Sequence, residues 1–191
     1  MTQKAKLDWI SVEDYLEGRS PVRHEYIGGR VFATVGGTLA HNRIAVNITS
    51  VLHRHLRGTP CAVYMSDVKV RVSAVDAFYY PDVVVSCEPY RPESLYLEEP
   101  ILIVEVLSPS TEAVDRREKL LNYQKLPLLR EYLLVASEEI RIEVYRRGGD
   151  RFGEVELYGP EDRAVPLASV ELELPLGEVY AGVFDGSPDA P

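Results

Sequence analysis

Residues 101–107, ILIVEVL, constrain the fold of this chain more than any other stretch. A short unbroken apolar run rich in β-branched residues reads as a strand covered on both faces. Such a strand needs neighbours along both edges and a layer above and below, which requires helices and strands around one central sheet. The run also carries a carboxylate in its middle, Glu105. An ionised carboxylate in a low-dielectric interior costs several kcal/mol unless positive charge or hydrogen-bond donors meet it. The sequence therefore predicts a partner for Glu105.

The flanking segments supply the layers. Ser11 with Asp14 resembles a capping box opening a short helix that Gly18 closes, and Gly28-Gly29 divides HEYIGGRVFAT into the arms of a two-residue hairpin. Thr38 can cap a helix running to about Arg57, with Ile44, Ile48, Val51 and Leu52 on one face and Gly58 as its stop. CAVYM, DVKVRV, FYYPDVVVS, EYLLVA, IRIEVYRR, RFGEVELY and SVELEL read as strands, with Pro81 marking an edge or bulge in the third. A Pro- and Glu-rich loop covers residues 88–100, and STEAVDRREKLLNYQKL is a helix that Pro127 ends. The expected fold class is α/β or α+β, a mixed central β-sheet flanked by helices. The 191 residues are expected to form a single domain spanning 1–191, with a frayed end from about residue 185.

No apolar run approaches the ~20 residues of a membrane span. The first residues lack the apolar core of a signal peptide, so the expected location is cytoplasmic, with no membrane partner. Cys61 and Cys87 have neither the number nor the spacing of a disulfide framework or zinc site and read as reduced core thiols. The net charge of −9 limits non-specific nucleic-acid binding to a local basic surface or to bound cations.

Asp82, after Pro81 and before three valines, is a second carboxylate on a strand-like segment. Two acids converging from neighbouring strands repel each other, and a divalent cation such as Mg²⁺ or Mn²⁺ with oxygen ligands removes the conflict. Pairing with arginines or backbone amides would do so as well, and spacing alone does not separate the two. Asp115, Lys119 and Tyr123 follow at i, i+4 and i+8 and share one helix face. By itself that pattern also fits a solvated Asp115–Lys119 pair. His41 near the start of the second helix could contact a phosphate or a site water, or serve only as a surface or capping residue; His53 and His55 form no ligand pair.

Taken in order, HEYIGGR, YYPDVVV, LIVEVLSPST, DRREKLLNY and EYLLV resemble the Uma-two family of restriction endonucleases, within the PD-(D/E)xK nuclease superfamily, along nearly the whole chain. The resemblance implies a restriction-endonuclease-like core and metal-dependent hydrolysis of DNA phosphodiester bonds. Asp82 and Glu105 would be metal ligands, joined by the backbone carbonyl of Val106, and Glu25 would add an acid at the edge of the site. Leu107 stands where many superfamily members carry the catalytic lysine, so Lys119 on the following helix takes that role. His41, Ser108, Asp115 and Tyr123 are accessory candidates. Mg²⁺ or Mn²⁺ would be the cofactor, DNA the partner, and a homodimer the assembly. Two other classes stay open: a catalytically silent binding or structural module that keeps the nuclease fold, and a metal-dependent hydrolase of smaller phosphoesters.

Overall fold

The computed structural model describes residues 9–18, 23–34, 36–109 and 112–184. Helix α1 (Val12–Glu17) begins where the Ser11 hydroxyl accepts the Asp14 amide at 3.0 Å. The hairpin β1 (His24–Ile27) and β2 (Arg30–Ala33) turns through Gly28 and Gly29 at φ +51° and +85°, a primed turn that matches strand twist. Thr38 caps α2 (Leu39–His55), which buries Ile44, Ala45, Ile48, Val51 and Leu52, the face its periodicity predicts. Next come β3 (Ala62–Met65), β4 (Lys69–Val72), β5 (Ala77–Tyr79), β6 (Val83–Ser86), β7 (Tyr96–Leu97) and β8 (Pro100–Leu107). Helix α3 (residues 112–123) takes a π-type turn over Asp115–Lys119. The chain continues through β9 (Glu131–Ala136), β10 (Ile142–Gly148), β11 (Arg151–Phe152), β12 (Glu156–Tyr158), β13 (Ala164–Leu167), β14 (Leu172–Pro175) and the short helix α4 (Leu176–Val179).

The main sheet runs β11-β10-β9-β8-β6-β3, with β12 also on β10; a second sheet runs β2-β1-β5-β4-β7, and β13 pairs with β14. Strand β8 lies inside the main sheet, antiparallel to β6 and parallel to β9. Its side chains alternate between two cores. Leu102, Val104 and Val106 pack with α2, β13, β14 and α4, whereas Ile103 and Leu107 face β4, β5, Tyr123 and Leu126. Each aliphatic side chain buried this way contributes about 1.5–3 kcal/mol, which offsets the ordering of a chain this long. The mixed sheet flanked by helices is the architecture the sequence implies. Glu105 lies on the face shared by Ile103 and Leu107, under the second sheet.

Several local expectations change. FYYPDVVVS is two strands in two different sheets, because Pro81 lets the chain leave β5 and start β6. RFGEVELY is likewise split at Gly153 into β11 and β12, both paired with β10. The loop 88–100 holds β7, whose two residues pair in parallel with β4. Cys61 and Cys87 are joined in a disulfide with Cα atoms 4.0 Å apart, not two free thiols. Ala62 pairs with Ser86, so the antiparallel ladder brings their flanking cysteines face to face, a proximity that a separation of 26 residues hides. Ser110 and Thr111, expected to lead into the helix, and the frayed end at 185–191 lie outside the described residues. Among the described residues no helix is long and apolar enough to cross a membrane.

One buried carboxylate is purely architectural. Glu131, 2% exposed at the start of β9, accepts the Ala168 amide at 3.1 Å and the Ser169 amide at 3.0 Å, and also holds Arg146 and the Ser169 hydroxyl. It thereby ties the β13–β14 connection to the main sheet. Glu131→Gln keeps one acceptor but removes the charge, and is expected to cost about 2 kcal/mol in urea unfolding. A loss below about 0.5 kcal/mol would mean that water replaces these bonds.

Candidate active site

Val83 pairs with Val104, so Asp82, one residue earlier, comes level with Glu105 on the adjacent strand. The Asp82 carboxylate is fixed on two sides. Its Oδ2 accepts the Val106 amide at 2.7 Å and lies 3.2 Å from His41 Nε2. His41 is held in turn by its own amide, which donates to the capping Thr38 hydroxyl at 3.2 Å, and by Gly37, where an added Cβ would stand 2.6 Å from the imidazole Cγ.

Glu105, 3% exposed, meets the partners its sequence context demanded: Oε1 accepts from Lys119 Nζ at 3.1 Å and from the Tyr123 hydroxyl at 3.0 Å. Lys119 Nζ lies 3.3 Å from Glu25 Oε1 and 3.0 Å from Asp115 Oδ1 as well. Glu25 Oε1 accepts the Tyr80 amide at 3.2 Å, which fixes β1 against the end of β5. A single ammonium thus sits among three carboxylates drawn from β1, β8 and α3. The solvated Asp115–Lys119 pair considered from spacing is excluded, since the two residues are 1% and 6% exposed. The helix is inverted at this point: Asp115 and Lys119 face inward, while Val114 and Leu121 are exposed. The π-type turn that begins at Asp115 is the wider winding often found where a helix serves a site. Asp115 Oδ1 approaches Lys119 closely but is not aligned for a hydrogen bond, so it is a buried acceptor with electrostatic compensation only.

Burial pushes the Glu105 carboxyl well above the usual carboxylate range; Lys119 pulls it down, but Asp115, Asp82 and Glu25 add to the rise. Burial opposes the charge on Lys119, yet Glu105, Glu25 and Asp115 outweigh it and raise its pKa well above that of an ordinary lysine. His41 is raised overall: burial lowers it, and the contacts with Asp82 and Val106 more than offset that. Tyr123 stays protonated because it is buried and donates to Glu105.

Glu25, Asp82, Glu105, Lys119, His41, Asp115 and Tyr123 all fall in this one region. Ser108 stands just beyond β8, where its carbonyl accepts the Glu112 amide at 3.0 Å. Sequence reasoning found Tyr123 but missed Tyr79 and Tyr132, which wall the site with it. Tyr123 packs edge-to-face between Tyr79 and Tyr132, each 5.3 Å away, and the Tyr132 hydroxyl donates to the Asp115 carbonyl at 3.1 Å. Aromatic residues on separate strands carry no spacing rule that links them to a helix.

Two carboxylates, a backbone carbonyl and an imidazole form a donor set that suits a divalent ion chemically. Among the described residues no three acidic, histidine or cysteine side chains already converge as a ligand shell. Here Lys119 offsets only part of the charge of Glu25, Glu105 and Asp115, while His41 and the Val106 amide hold Asp82.

A family model named Uma2 and described as "Putative restriction endonuclease" matches residues 12–177. The uncharacterized protein slr1290 of Synechocystis sp. is 36% identical over 177 residues, covering 91% of this chain and 93% of that protein. A second Synechocystis protein, the uncharacterized sll1609, is 29% identical over 147 residues, covering 74% of this chain and 83% of its own. Among solved structures, a "putative nuclease belonging to DUF820" from Anabaena variabilis superposes with a TM-score of 0.75 at 19% identity, covering 92% of this chain and 99% of that one. At that identity the likeness is one of fold.

Proposed function

The chain belongs to the Uma2 family of restriction-endonuclease-like proteins, and from that premise we propose that it is a Mg²⁺- or Mn²⁺-dependent endonuclease hydrolysing phosphodiester bonds of DNA. The observation that carries this reading is the buried Lys119 among Glu25, Glu105 and Asp115, with Asp82 level with Glu105 on the next strand. A structural ion pair needs one acid; a lysine shared by three, with a fourth alongside, leaves negative charge that an added cation would offset.

In this reading Asp82, Glu105 and the Val106 carbonyl would hold the ion, whose chemistry when bound is to acidify a water and to offset charge on the transition state. The protein's own groups do the rest. The Val106 amide fixes the Asp82 carboxylate, and the Tyr123 hydroxyl fixes Glu105. Lys119 would orient the attacking water or stabilise the charge developing on the phosphate. The buried tyrosine wall excludes bulk water from one side, which strengthens each of these interactions. We read residues 1–191 as one domain, and one site per chain fits a twofold homodimer that cuts both strands. Light scattering at micromolar protein is expected to give the mass of a dimer.

The direct test is cleavage of supercoiled plasmid in Mg²⁺ or Mn²⁺, with EDTA as control and Asp82→Asn as the site variant. Wild type is expected to nick or linearise the plasmid, and Asp82→Asn to lose about 10²-fold or more of that rate. Activity surviving in Asp82→Asn would come from another nuclease. Wild type inert on DNA and RNA with either metal would leave the binding-module reading in its place.

A further inference from the structure

Resting on the metal-dependent reading above, we propose that His41 is a direct ligand of the divalent ion, completing a mixed nitrogen and oxygen site that selects Mn²⁺ over Mg²⁺. The imidazole meets one of the three groups expected to hold the ion, Nε2 lying 3.2 Å from Asp82 Oδ2, and Asp82 is itself level with Glu105 and bonded to the Val106 amide. Neighbouring donor atoms on an octahedral ion with bonds near 2.1 Å are separated by about 3.0 Å, so the Nε2–Oδ2 distance already matches one shared edge.

The ring is also placed by the backbone. Thr38 anchors the first turn of α2, and Gly37 closes on the imidazole so tightly that any side chain there would displace it. This fixes one rotamer, which is what a ligand needs and what a solvated surface histidine lacks. His24, His53 and His55 lie elsewhere; His55, for instance, bonds the Val170 carbonyl at 2.8 Å. An imidazole suits Mn²⁺ and later first-row ions, whereas Mg²⁺ prefers a shell of oxygen alone. Removing the ring is therefore expected to weaken Mn²⁺ binding selectively.

The experiment pairs calorimetry with pulsed electron paramagnetic resonance on the full chain, using Mn²⁺ and Mg²⁺ as probes. In wild type, Mn²⁺ is expected to show the nitrogen modulation of a coordinated imidazole, and His41→Ala is expected to abolish it. His41→Ala and His41→Gln are expected to lower Mn²⁺ affinity about tenfold or more while changing Mg²⁺ affinity by less than about threefold. Bound Mn²⁺ without nitrogen modulation in wild type, or an unchanged Mn²⁺-to-Mg²⁺ ratio in both variants, would overturn the assignment and leave the metal site itself standing. Failure of wild type to bind either ion would overturn the metal-dependent reading and this ligand with it.

Discussion

Lys119→Met is expected to unfold at least about 3 kcal/mol more easily than wild type at pH 8, and to lose about 10²-fold of any metal-dependent cleavage. Methionine keeps most of the length of the side chain and removes its charge. Glu25, Glu105 and Asp115 are then left together without the ammonium that lies 3.0–3.3 Å from each. A solvated Asp115–Lys119 pair would barely register in stability; the burial of both residues makes the loss large. The pH dependence follows from the raised pKa of Lys119: its contribution is fully present below the ordinary lysine value of 10.5 and is lost only as pH rises through the still higher folded value. Wild type therefore keeps this contribution across the neutral range. The variant must instead protonate its acids, so its deficit is expected to shrink markedly at pH 5. Urea unfolding at pH 5 and pH 8 reads both numbers, and a deficit equal at the two pH values would argue that lost packing, not charge, is responsible.

Glu105→Gln is expected to do the opposite to stability while removing function. Three acids around one lysine carry excess negative charge, and Gln relieves it while its carbonyl still accepts from Tyr123 or Lys119. Because the folded pKa of Glu105 is raised, wild type gains stability as that group takes up a proton: the gain is complete below the ordinary value of 4.5 and is lost as pH rises through the folded value. The variant escapes that loss, so its melting temperature is expected to equal or exceed that of wild type at pH 7–8 and to converge on it in acid. Calorimetry is expected to show Mn²⁺ affinity reduced at least about 10²-fold, with cleavage falling in step. A variant that melts well below wild type at pH 8 would instead make Glu105 one half of a structural ion pair, for which a loss of about 3–5 kcal/mol is usual.

The two variants separate roles that a deletion of either residue to alanine would blur. Removing the cation raises the charge imbalance and removing the anion lowers it, so a site built around excess negative charge must respond asymmetrically. An isolated pair would lose stability in both cases.

Local chemistry made much of this molecule legible in the amino-acid order. The glycine pair required a primed turn, Thr38 and the 3.6-residue periodicity defined α2, and the unbroken run 101–107 could only be a strand covered on both faces, which in turn demanded a partner for Glu105. Those features depend on residues within a few positions of one another. What the tertiary structure decided depends on residues far apart in the chain. The break at Pro81 sends β5 and β6 into different sheets, the ladder between β3 and β6 closes the disulfide, and Glu131 anchors residues 168 and 169. Most of all, the inward face of α3 could not be read from its composition: Asp115 and Lys119 are buried and Leu121 is exposed, contrary to the hydrophobic rule. Burial of those charges is favourable only because Glu25 and Glu105 arrive from two other strands, and that convergence exists only in the folded chain.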